Sequence, residues 1–215
     1  MDIVQLVGQE PQVKEWVAQL EANTPRQLIT GLAGSAKTLL IAHVFKKTNK
    51  NIIVLLPNLY YANQLAEDLQ HVVDQDNIHL FPVDEVLSAE MAFSSPEARA
   101  ERVATLNALQ EKQAGIYLLP VAALHKRLPS KNAWVDAQLN WKIGDEIDVE
   151  NLPLQLVLMG YERQEMVAKP GEFSIRGSIV DIYPLTMEHP VRVELFDVEI
   201  DSMRYFEAET QRSIG

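Results

Sequence analysis

Apolar side chains along the first two thirds of the chain recur with helical spacing, broken by short unbroken apolar runs. Val13, Trp16, Val17 and Leu20 stand at i, i+3, i+4 and i+7 and predict a helix over residues 11–20. Pro25 precedes Gln27, Leu28, Ile29 and Thr30, which read as a short buried strand. A loop of small residues follows, and Leu39, Leu40, Ile41 and Ala42 open a helix ending near Lys46, Lys47 and Lys50. The run closed by Pro57 is a buried strand, and Leu59, Ala62, Leu65, Ala66, Leu69, Val72 and Val73 fall on one helical face. Residues 78–83 and 116–120 read as two further strands. Between them Ser94, Ser95, Pro96 and Glu97 form a helix start, with Ser94 as cap, proline in the first turn and glutamate three residues on. Val103, Leu106 and Leu109 give that helix its buried face. Strands alternating with helices predict an α/β unit whose parallel sheet is covered on both faces.

The period changes near residue 144. Residues 144–148 form a charged turn and residues 152–160 a short helix, after which apolar positions alternate. Val191, Val193 and Leu195 interleave with Arg192, Glu194 and Phe196, and turns fall at Pro170-Gly171, Pro184 and Pro190. This predicts a small α+β unit with a mostly antiparallel sheet. The expected division is residues 1–144, residues 145–211, and a following segment begun by residues 212–215, so the chain reads as a fragment.

Composition narrows the function. The 215 residues contain no cysteine, which excludes disulfides, thiol catalysis and cysteine-ligated metals and fits a cytoplasmic location. No apolar run reaches a membrane span, and the N-terminus lacks the basic start of a secretory signal. Lys and Arg total 19 against 30 Asp and Glu, a net charge of −11. Residues 1–146 hold 13 basic and 17 acidic side chains, and residues 147–215 hold 6 and 13. Such a balance disfavours a broad phosphate-tracking surface. The five histidines, at 43, 71, 79, 125 and 189, lack ligand spacing. Lys46, Lys47 and Lys50 complement a helix C-terminus, and Lys126 with Arg127 is too small a patch to track nucleic acid.

One motif carries recognisable chemistry. Residues 31–38 (GLAGSAKT) sit between an expected strand and a helix, the setting of a phosphate loop of the form GxxxxGK[ST]. In such a loop backbone N–H groups cradle phosphate, the lysine reaches the outer phosphates and the hydroxyl holds magnesium. Gly31, Gly34, Ser35, Lys37 and Thr38 fit, but Ala36 replaces the second glycine. If that position needs positive φ, alanine costs about 1–2 kcal/mol there. Hydrolysis also needs an acidic residue at another strand end, and Asp84 with Glu85 is the only such pair, in what reads as a solvated loop.

Four blocks carry a resemblance. Residues 29–38 (ITGLAGSAKT), 159–163 (MGYER), 170–184 (PGEFSIRGSIVDIYP) and 193–204 (VELFDVEIDSMR) resemble the UvrB family of excision-nuclease proteins. The chain is most similar to the N-terminal, UvrB-like region found in bacterial transcription-repair coupling factors. Two features point there: the degenerate loop at Ala36, and the absence from residues 81–102 of the tyrosine-rich DNA-clamping hairpin of UvrB.

The resemblance implies a RecA-like first unit and a second unit that docks the damage-recognition ATPase UvrA. It implies no cofactor for this fragment; ATP and magnesium belong to motor domains elsewhere in the full-length family, as do RNA polymerase and DNA binding. Arg163 and Arg176 match family arginines, and Ser174 stands where UvrB has a further one. Phe173 and Tyr183 are the expected apolar anchors beside them. Read from the residues alone, Arg176 instead pairs with Asp181 or Glu172 within the sheet and Phe173 is core. The resulting expectation is a docking region without catalysis of its own, in transcription-coupled nucleotide excision repair. The alternatives are an ATP-dependent DNA-remodelling enzyme of the UvrB type and an intramolecular clamp against a C-terminal domain.

Overall fold

The structure is a computed structural model and describes residues 2–83, 95–111 and 114–214. Contacts divide the chain into two compact units, residues 1–93 with 104–126, and residues 94–103 with 127–215. The change of period at residue 144 falls inside the second unit.

The first unit holds helices α1 (Ile3–Val7), α2 (Pro11–Glu21), α3 (Ala36–Thr48) and α4 (Leu59–Gln70), and part of α5 (Pro96–Gln110). Its strands are β1 (Ile52–Leu56), β2 (Ile78–Leu80) and β3 (Ile116–Pro120), parallel throughout in the order β1-β3-β2. Local chemistry sets the helix ends. The Asp2 carboxylate accepts from Val4 N–H, and Asn58 caps α4 by accepting from Tyr61 N–H. Asn49 ends α3 in the left-handed region at φ 48°. Ser95 caps α5 by accepting from Ala98 N–H; Ser94, the expected cap, lies outside the described residues, as do Asp84 and Glu85.

Val4, Phe45, Leu65 and Leu69 from α1, α3 and α4 pack on Leu56, Ile116 and Leu118 of the sheet. On the opposite side Leu106 of α5 packs with Leu119 and Phe81. Three expectations fail. Residues 27–30 form no strand, and Leu28 is 88% exposed: the sheet ends at β1, so this apolar run has no ladder to join. The sheet is not covered on both faces, because α5 packs at β3 and leaves Ile53 and Leu55 of β1 exposed. The buried positions of α5 are Thr105 and Ala108, while Leu109 faces outward. Thr105 is drawn inward because its hydroxyl donates to the Leu80 carbonyl at 2.5 Å.

The second unit contains α6 (Lys131–Asp136), α7 (Leu152–Leu158) and a five-stranded sheet. Its strands are β4 (Glu162–Arg163), β5 (Glu172–Arg176), β6 (Ile179–Ile182), β7 (Val191–Phe196) and β8 (Glu199–Tyr205), in sequential order. β5 to β8 are antiparallel as the alternation predicts, and β4 adds parallel to β5 at the edge. Phe173, Val180, Ile182, Val193, Leu195 and Ile200 form one face's core with Leu152 and Leu156 of α7. The helix expected over residues 152–160 is α7, two residues shorter. The chain is a mixed α/β protein with two separate sheets.

Candidate docking site

The two arginines singled out from the sequence lie at one edge of the second sheet. Glu162 pairs with Glu172 and Arg163 with Phe173 across the β4–β5 ladder. The last bond of that ladder runs from Gln164 N–H to the Phe173 carbonyl, 2.8 Å. Beyond it the β4–β5 pairing stops, and the Glu165 carbonyl accepts from the Ser174 hydroxyl at 2.9 Å. A groove of about 670 Å³ opens there, lined by Arg163, Gln164, Glu165, Met166, Ser174, Ile175 and Arg176. Arg163 is exposed and has no ion-pair partner among the described residues.

Arg176 is held from beneath. Its Nη2 lies 2.7 Å from Oδ2 of Asp181, a carboxylate with no exposed surface. Asp181 is also gripped by Arg192, Nε to Oδ1 at 2.7 Å and Nη2 to Oδ2 at 2.9 Å. That fork is bidentate, the geometry in which guanidinium pairs best with carboxylate. Arg192 lies 4.5 Å from the ring centroid of Phe206 and donates to the Gln211 carbonyl. The hydrogen bonds it donates to Asp181 push the Arg192 pKa up, so it stays charged. One carboxylate thus serves two guanidinium groups, and the cluster keeps a single positive charge. Arg176 carries it outward, with its side chain 47% exposed.

Other expected residues sit elsewhere. Phe173 has no exposed surface and packs in the core, as the reading from residues alone had it, so its ring is not an anchor beside the arginines. Tyr183 is half-buried and its hydroxyl donates to the Glu188 carbonyl. Ser174 is buried and neutral, its hydroxyl donating to the Glu165 carbonyl, so that position adds no charge to the groove. Arg176 pairs with Asp181 and not with Glu172, which instead accepts from the Ala168 and Lys169 amides. Sequence reasoning missed Arg192, Met166 and Ile175. Arg192 was detectable as a charge within a strand, directly opposite Asp181 in the β6–β7 register.

The glycine-rich loop has a different geometry from the one expected. Ala36 is the first residue of α3, and the positive φ values fall on Gly31 (81°) and Gly34 (54°). Alanine therefore carries no left-handed strain at position 36. Its N–H donates to the Ala33 carbonyl at 3.2 Å, which takes one cradle amide out of service. Thr38 is buried while Ser35 and Lys37 are exposed. The loop as it stands does not fit a triphosphate with magnesium on Thr38. Among the described residues no group of His, Asp and Glu is placed to hold a metal, and no helix is long and apolar enough to cross a membrane.

Comparison with known proteins finds matches both for the stretch that holds the groove and for the whole chain. Residues 139–215 match the model of the UvrB interaction domain, and these residues contain Arg163, Arg176, Asp181 and Arg192. The whole chain is similar to transcription-repair-coupling factors, as the motif blocks predict. It is 42% identical over 215 residues to that of Bacillus subtilis (strain 168), covering 100% of this chain and 18% of that protein. It is 42% identical over 193 residues to that of Staphylococcus aureus (strain bovine RF122 / ET3-1), covering 90% and 16%. With that of Staphylococcus haemolyticus (strain JCSC1435) the identity is 42% over 186 residues, covering 86% and 16%. The chain spans less than a fifth of the length of these relatives.

Proposed function

We propose that the chain is a docking region in transcription-coupled nucleotide excision repair, and that the edge groove of the second unit grips UvrA. The observation that carries this is the pair Arg163 and Arg176 at one groove, the first without an ion pair among the described residues and the second aimed by buried Asp181. Both lie within the stretch matching the UvrB interaction domain. Exposed guanidinium groups held in place suit a partner surface bearing carboxylates. Met166, 54% exposed, supplies adaptable apolar surface between them.

The first unit descends on this reading from a RecA-like phosphate-loop domain and acts as framework without ATPase activity. The occupied Ala36 amide and the buried Thr38 support that. Contacts to RNA polymerase and DNA belong to parts of the longer protein outside this chain. The test is a titration of purified UvrA with the double variant Arg163→Ala, Arg176→Ala. Affinity falls about tenfold or more while the melting transition of the chain persists. Unchanged affinity refutes the reading.

A further inference from the structure

The groove has a backbone feature that its arginines do not explain. In β5, the Glu172 carbonyl and the backbone groups of Ser174 and Arg176 face β6, while the Glu172 N–H donates to the Lys169 carbonyl; the bond from Tyr183 N–H to the Glu172 carbonyl and the antiparallel register set this phase. Phe173 and Ile175 therefore direct theirs the other way. The Phe173 carbonyl is taken by Gln164 of β4. β4 stops there, and the Ile175 N–H and C=O have no backbone partner among the described residues. Past β4 the Glu165 carbonyl accepts from the Ser174 hydroxyl in place of a ladder amide, and Val167 is fully buried. One ladder position is left open at the floor of a groove of about 670 Å³.

The two arginines flank this position from opposite sides. Directly paired residues share a face of a sheet, so Arg163 goes with Phe173 and Ile175, while Arg176 goes with Ser174 on the other face. A strand entering the open edge would present its side chains alternately to these two faces. Consecutive residues of such a strand would meet first one guanidinium and then the other.

We infer that the groove takes an extended acidic protein segment, which adds as a short strand to the open edge of β5 at Ile175. Consecutive carboxylates of the segment pair with Arg163 and Arg176. Charge complementarity selects it. The Asp181 cluster keeps a net positive charge, and Arg163 adds another, on a unit whose composition is otherwise acidic. The backbone bonds give register and the arginines give the sequence preference, the division of labour usual in strand addition. This deepens the docking reading and rests on it, with UvrA as the source of the segment.

The test follows the Ile175 amide. Hydrogen exchange at Ile175 is expected to slow about tenfold or more when the chain is saturated with UvrA. Ile175→Pro removes the N–H at an edge position that proline tolerates, and it is expected to weaken UvrA binding about tenfold, whereas Ile175→Ala stays within about threefold. An Ile175 amide that exchanges equally fast free and bound overturns strand addition, even where Ile175→Pro has disturbed the fold. If the arginine double variant then still loses binding, the docking reading stands alone. If UvrA binds neither the chain nor depends on the arginines, both readings fall.

Discussion

Asp181→Ala separates the buried part of the charge cluster from its exposed part. Asp181 is fully buried and faces Arg192, whose side chain is 14% exposed, and Arg176, whose side chain is 47% exposed. Removing one partner of a buried pair leaves the other charge desolvated and costs about 3–5 kcal/mol. The exposed Arg176 pair is screened by water and contributes about 1 kcal/mol or less. Asp181→Ala is therefore expected to destabilise the second unit by about 3–5 kcal/mol, and Arg176→Ala by about 1 kcal/mol at most. Trp141 packs against the core of that unit and reports on it once Trp16 and Trp134 are replaced by Phe. With a urea slope of about 1–3 kcal/mol per molar, the Asp181→Ala midpoint drops by about 2 M. A midpoint within about 0.3 M of the parent, or a drop no larger than that of Arg176→Ala, would refute the account of Asp181 as the buried anchor of both arginines.

Two further outcomes are expected elsewhere in the molecule. Ala36→Gly gains no ATP binding tighter than about millimolar in calorimetry with magnesium, because Ala36 is right-handed and its N–H is bound to Ala33; binding tighter than that contradicts the framework reading. Hydrogen bonds from Arg204 and Ser202 hold the Glu194 carboxyl below the usual carboxylate range. A depressed folded pKa gives stability that is present at neutral pH and is lost as the pH falls through that lowered value. Glu194→Gln therefore shrinks the difference between neutral and acid urea midpoints, and an unchanged difference counts against this pairing.

Much of the framework was legible along the chain because it depends on local spacing. The helical face of Leu65 and Leu69, the strand closed by Pro57, and the alternation through Val191, Val193 and Leu195 all became the expected elements. The motif blocks single out Arg163 and Arg176, and both line one groove. Residues 27–30 misled because an apolar run states only that it would bury if a neighbour were available, and the sheet ends at β1. Phe173 carried both readings, core and partner contact, and strand register sends it inward.

By itself the sequence determined the two periodicities, the alanine at position 36, and the blocks that resemble the UvrB family. These are properties of residues close together along the chain. The tertiary structure decided that Asp181 binds two guanidinium groups, that the Ser174 hydroxyl takes the Glu165 carbonyl, and that Ile175 is left open between the arginines. Those facts join residues from four strands and a loop. Which of them meet depends on ladder register, and a shift of one residue would turn every side chain to the other face.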